Sequence, residues 1–225
     1  MAARVAALGL VELRPGVVAY ARHYAPPVVP LRSLIMVPHG RTPSNVRLLF
    51  QSHAEGPNAT LLPESLDDAA APEQFAFARS PLRRCAQTAE AYAARFAARG
   101  FPPLDAAVDG RLLEIDHASW HGLTVDEVPA GPERAAAEKY RAGDFYAKPS
   151  DGESNVDVLE RARAWLEDPP AARDQHLVVF GHGTFQNAAE VVLRCLGDKE
   201  PADVFSRAPG RSHLRRGFPH ALYPT

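Results

Sequence analysis

Two His-Gly dipeptides each close a short apolar run: Ser33-Leu34-Ile35-Met36-Val37-Pro38 leads into His39-Gly40, and His176-Leu177-Val178-Val179-Phe180-Gly181 leads into His182-Gly183. Imidazole is the side chain best suited to nucleophilic or proton-transfer work near neutral pH. In an α/β protein, ligands bind outside the carboxyl ends of the strands. Two imidazoles that follow two buried strands can therefore meet in one crevice although they lie far apart in sequence.

Phosphoryl transfer fits such a pair once other groups join it. It needs a nucleophile in line with the leaving oxygen, cations and amides around the equatorial oxygens, and an acid at the leaving group. Arg84 supplies a cation and Glu114 a carboxyl group. His39 attacks only when one ring nitrogen is unprotonated, and a neighbouring Arg84 disfavours the imidazolium. Glu114 must hold a proton, which a bound phosphate dianion favours. Gly40 and Thr42 open a helix N-terminus toward an anion.

The surrounding residues form blocks that resemble the signatures of the histidine phosphatase superfamily, the phosphoglycerate mutase-like enzymes. Pro38-His39-Gly40-Arg41-Thr42-Pro43-Ser44-Asn45 is similar to R-H-G-E-T-x-x-N, and Ser80-Pro81-Leu82 with Arg84, Gln87, Thr88 and Ala89 is similar to S-P-L-x-R-A-x-Q-T-A. Leu112, Glu114, Ile115, Asp116, Trp120, Gly122 and Leu123 match L-x-E-I-D-F-G-x-W-E-G-L, and Gly152-Glu153-Ser154 and Gly181-His182-Gly183 complete the series in family order. The resemblance implies that His39 is the nucleophile and carries the phosphoryl group. It further implies that Arg84, His182 and Asn45, with Gly40 and Gly183, bind phosphate, that Glu114 protonates the leaving oxygen, and that the chemistry needs no metal or other cofactor.

The chain departs from that pattern at Pro38, where the family has an Arg that clamps phosphate, and at Arg41, where it has Glu or Gln; the charge of Arg41, on the other side of the turn, is the expected replacement in phosphate binding. Between Asn45 and Ser80 the family's aromatic-Gly-x-x-D and L-T-x-x-G blocks are missing. Three functions fit: a phosphomonoester hydrolase, a phosphoglycerate mutase-type phosphotransferase, or a catalytically weak protein that binds a phosphorylated ligand. His117 and His121, spaced i, i+4, have no third zinc ligand at a recognisable spacing, so a metal site gains little support. Trp120 reads equally as a core anchor or a wall of the site.

The elements that must position these residues are legible in the periodicity. Leu34–Val37, Phe75–Arg79 and Leu177–Phe180 read as buried strands, and Ala106–Leu113 as a further one. Residues 82–98 place Leu82, Cys85, Ala89, Tyr92 and Phe96 at helical spacing, ended by Gly100. Residues 132–142 read as a surface helix. Ser154 and Asp157 form a capping box for a helix whose apolar stripe is Val156, Leu159, Ala162 and Leu166, ended by Pro169 and Pro170. A last helix carries Phe185, Ala188, Ala189, Val192 and Cys195 and closes at Gly197. Residues 51–74 read as loop with one helical turn at 65–71. The sum is an α/β three-layer sandwich, a mostly parallel sheet with helices on both faces.

Residues 1–32 read as an N-terminal extension, because Pro15, Pro26, Pro27 and Pro30 oppose a long helix. Residues 33–225 read as one domain whose tail, 199–225, shows no final strand and holds four Arg and no acid between Arg207 and His220. A net charge of -2 exerts no pull on nucleic acid or membrane. The expected partner is a small phosphorylated substrate, and the expected state a monomer or homodimer. Cys85 and Cys195 form no framework and read as buried thiols. A cytoplasmic location is expected. Six Arg against the single Glu12 in residues 1–50 leave an organellar transit segment as the alternative.

Overall fold

The computed structural model describes residues 2–31, 33–40, 42, 75–98, 100, 103–171, 175–194, 201, 205 and 220–223. Strand β3 (Ser33–Pro38) and strand β6 (His176–Gly181) lie side by side and parallel, paired from Ser33 with His176 to Pro38 with Gly181. Strand β4 (Phe75–Arg79) adds parallel to β6, and β5 (Ala106–Val108) adds parallel to β4. A fifth strand, β7 (His220–Tyr223), runs antiparallel on the other side of β3, giving the order β5-β4-β6-β3-β7. The expected mostly parallel sheet is thus present.

Alternate residues of the central strands serve two cores. Val37, Val178 and Phe180 pack against Ala89, Tyr92 and Phe96 of helix α2 (Arg83–Ala98). Leu34, Met36, Leu177 and Val179 join the larger core built on helix α4 (Asn155–Glu167) and helix α5 (Gly183–Leu193). The sheet is covered on both faces, which explains why its inner strands read as continuous apolar runs. Ser154 caps α4 as expected: its hydroxyl accepts from Asp157 N–H, and the Asp157 carboxylate accepts from Ser154 N–H at 2.6 Å. Helix α3 (Pro132–Arg141) lies where residues 132–142 predict it.

Three expectations are corrected. The strand expected over 106–113 ends at Val108, because Asp109-Gly110 turns the chain: the Asp109 carboxylate accepts from Arg111 N–H at 2.9 Å and caps a 3-10 turn, Gly110–Leu112. The tail does hold a final strand, β7, whose backbone pairing to β3 leaves little trace in so short a sequence. The last helix ends at Leu193 rather than Gly197, with Arg194 in the left-handed region at φ 57°. Cys195, Gly197 and the helical turn expected at 65–71 lie outside the described residues.

Residues 2–31 pack on the domain. Helix α1 (Ala2–Ala7) leads into an antiparallel hairpin of β1 (Leu10–Arg14) and β2 (Val17–Tyr20). Val5, Leu8, Leu10, Val18, Val29 and Leu31 are buried in the same core as α4 and α5. Arg4 binds Glu160 through Nε at 2.7 Å and Asp157 through Nη2 at 2.6 Å. The Tyr20 hydroxyl donates to the Val191 carbonyl at 2.9 Å, and Tyr24 donates to that of Val192. The prolines do prevent a long helix; they do not prevent a short helix and a hairpin. Among the described residues no helix is long and apolar enough to cross a membrane.

Candidate active site

The parallel register that pairs Pro38 with Gly181 sets the next residues, His39 and His182, beside each other at the carboxyl end of the sheet. His39 N–H donates to the Gly181 carbonyl at 2.9 Å, and Ser80 N–H donates to the Phe180 carbonyl at 3.0 Å, so three strand ends are tied where the chain leaves the sheet. The two imidazoles are buried, with ring centroids 5.3 Å apart and planes at 60°. They converge as their sequence contexts predict.

The His39 ring is oriented by its own turn. Nδ1 lies 2.7 Å from the Gly40 carbonyl oxygen. A carbonyl only accepts, so Nδ1 carries the proton, and in the neutral ring the lone pair is on Nε2. Gly40 N–H donates to Thr88 Oγ1 at 3.2 Å, and the Thr88 hydroxyl donates to the Arg84 carbonyl at 2.7 Å. One hydroxyl thus fastens the His39 turn to the first turns of α2, which also carries Arg84. That guanidinium is fully buried, a placement tolerated only where surrounding groups replace its hydration.

His182 is the N-cap residue of α5, and Gly183 is the first helical residue. The Nε2 atom of His182 lies 2.9 Å from Ser80 Oγ and 3.3 Å from Cys85 Sγ. The Cys85 thiol donates to the Gly181 carbonyl at 3.3 Å. Cys85 is buried as expected, but it also abuts the second imidazole. Glu114 is 6% exposed, on the loop beyond the carboxyl end of β5, and its Oε1 accepts from Ile115 N–H at 3.1 Å. That loop starts at the same sheet end, since Asp109 N–H donates to the Arg79 carbonyl at 3.0 Å.

The structure brings His39, Gly40, Arg84, His182 and Gly183 into one assembly, and the loop that carries Glu114 leaves the sheet at the same end. Arg41 and Asn45 lie outside the described residues, as does the helix whose N-terminus Gly40 and Thr42 are expected to open; Thr42 is buried. Trp120 is a core anchor: it is 1% exposed, donates to Glu133 at 2.8 Å and packs edge-on to Tyr140. His117 lies edge-on to the same Tyr140, ring centroids 5.1 Å apart. In the sequence Ser80 and Thr88 stand only as members of a motif and Cys85 as a buried helical thiol; their contacts with the two histidine turns depend on β4 and α2 meeting β3 and β6.

Parallel strands, a buried arginine and two facing imidazoles at the strand ends define an α/β protein with a polar cluster at the carboxyl end of its sheet. The family profile of the histidine phosphatase superfamily (branch 1) matches residues 34–203, and the chain belongs to that superfamily. Comparison with curated proteins gives no match. Among solved structures it is similar to mycobacterial hydrolase 1, at 25% identity and TM-score 0.57 over 78% of this chain and 85% of that one. It is also similar to the mycobacterial glucosyl-3-phosphoglycerate phosphatase, at 24% identity and TM-score 0.54 over 78% and 84% of the two chains. The phosphoglycerate mutase of Thermus thermophilus aligns at 24% identity and TM-score 0.55 over 84% and 91%.

Proposed function

We propose that the protein is a metal-independent phosphomonoester hydrolase that works through a phosphohistidine on His39. The observation that carries this reading is the Nδ1–H bond of His39 to Gly40, which leaves Nε2 as the nucleophilic atom beside His182. In the first step Nε2 bonds to phosphorus while the ester P–O bond breaks, and the proton of the Glu114 carboxyl group passes to the departing oxygen. In the second step Glu114, now a carboxylate, takes a proton from water. That water attacks phosphorus, the P–N bond breaks, and inorganic phosphate leaves with His39 neutral again. Arg84, His182 and the N-terminal amides of α5 stabilise the charge on the equatorial oxygens.

Pro38 removes the cation that the family holds at this position. A lost charge-assisted hydrogen bond costs about 1.5–3 kcal/mol, or roughly ten- to hundredfold in rate. Turnover is thereby lowered rather than abolished.

The test is a panel of phosphomonoesters assayed in chelator with the parent and His39→Ala. The expected result is phosphate release that chelator leaves intact and that His39→Ala abolishes, with phosphohistidine trapped in the parent alone. Chelator-sensitive turnover that survives His39→Ala would overturn the reading. Dependence on 2,3-bisphosphoglycerate without net phosphate release would identify a phosphotransferase instead. Phosphate binding with turnover unchanged by His39→Ala would identify a binding protein.

A further inference from the structure

Glu114 stands in residues 113–117, a segment with neither helix nor strand pairing to fix it. Its backbone must find partners elsewhere, since buried peptide groups are nearly always satisfied. One ion pair supplies them on both sides of Glu114. Arg161, midway along α4, donates through Nη1 to the Arg111 carbonyl at 2.8 Å and to the Leu113 carbonyl at 2.7 Å. Through Nη2 it donates to Glu153 Oε2 at 3.0 Å. The same Glu153 oxygen accepts from Asp116 N–H at 2.9 Å, and Glu153 N–H donates back to the Asp116 carbonyl at 2.8 Å.

The approach of the two segments is close. A Cβ at Gly152 would collide with the Asp116 carbonyl oxygen and the Pro149 ring, so only glycine fits there. The Arg161 guanidinium also lies over the Phe185 ring at 5.7 Å, so α5, the helix that begins beside His182, braces it from the other side.

We propose that Arg161, with Glu153, is a positioning residue for Glu114: it fixes the backbone on both sides of the acid and so sets where the carboxyl proton is delivered. This inference rests on the phosphohydrolase reading above. The planar fork is what permits one side chain to span two carbonyls and a carboxylate. A lysine ammonium offers one point charge and cannot hold the three in that geometry. Misplacement of a catalytic group by about 1 Å is enough for losses on the order of a hundredfold.

The dependence on leaving group separates positioning from plain stabilisation. An alkoxide needs a proton as it departs, whereas p-nitrophenolate leaves without one. The experiment compares kcat/KM for glycerol phosphate and p-nitrophenyl phosphate in the parent, Glu114→Gln, Arg161→Met and Arg161→Lys, all checked for folding by thermal melting. Glu114→Gln is expected to lose far more activity on the alkyl ester than on the aryl ester. Arg161→Met is expected to follow it, with a loss above about tenfold on glycerol phosphate and below about threefold on p-nitrophenyl phosphate. Equal losses on both esters, or none, would overturn the positioning role. Should Arg161→Met not fold, Arg161→Lys decides by the same criterion. A Glu114→Gln protein without leaving-group discrimination would instead refute the acid role of Glu114, and with it the reading on which the inference depends.

Discussion

At position 38, a proline closes a central strand without disrupting the ladder. His39 N–H points to β6, so the nitrogen of the preceding residue points the other way, toward β7, whose pairing with β3 among the described residues reaches Met36. A missing N–H there breaks no ladder bond among the described residues, a place where proline is tolerated. The loss is therefore confined to the arginine side chain. Pro38→Arg is expected to raise kcat/KM for phosphomonoesters by about ten- to hundredfold, the worth of one charge-assisted hydrogen bond. If Arg41 compensates for the proline, Arg41→Gln lowers activity in the parent and has little effect once Pro38→Arg is present. An unchanged kcat/KM in the parent background would remove Arg41 from the site.

Helix α4 is the element that connects several of these features. Its N-terminus is closed by the Ser154–Asp157 box, and Arg161 on the same helix reaches the Glu114 loop. Burial alone would raise the Asp157 carboxyl group, but hydrogen bonds from Ser154 N–H, Arg4 and the Ser154 hydroxyl, with Lys148 nearby, hold it below its ordinary 3.8. A carboxyl group held down in the folded state adds stability that is complete above its unfolded value and disappears as pH falls through the folded one. Asp157→Asn is thus expected to lower unfolding free energy by about 1 kcal/mol at pH 7, the size of a cap or an exposed ion pair. The difference should shrink below about pH 4. Urea midpoints at pH 7 and pH 3 check it, and a constant gap would exclude the charge as the cause.

For the molecule as a whole, the N-terminal residues are a structural layer. Leu10 is 2% exposed and belongs to the core shared with α4 and α5. Leu10→Ala is expected to destabilise the protein by about 2–5 kcal/mol, as for other core leucines, measured by urea unfolding. Were residues 1–32 an unattached leader, the change would leave the midpoint where it was.

The sequence by itself determined the end of the sheet at which the two histidines emerge. Apolar runs followed by His-Gly identify buried parallel strands with polar groups at their carboxyl ends, and helix periods with caps and glycine stops locate α2 and α4. These signals are local, so they survive without neighbours. What lay beyond reach were the contacts made between segments distant in the chain. Arg161 carries no mark in its own surroundings, and its role arises only because α4 passes the Glu114 loop. Thr88 looks like any helical threonine until α2 meets the His39 turn. Residues 2–31 gave weak periodic signals because β1 and β2 are short, and their burial depends on the α4 and α5 surfaces against which they lie. Strand β7 likewise draws its order from β3. Tertiary structure decided these matters because long-range packing and register, rather than local propensity, supply the partners.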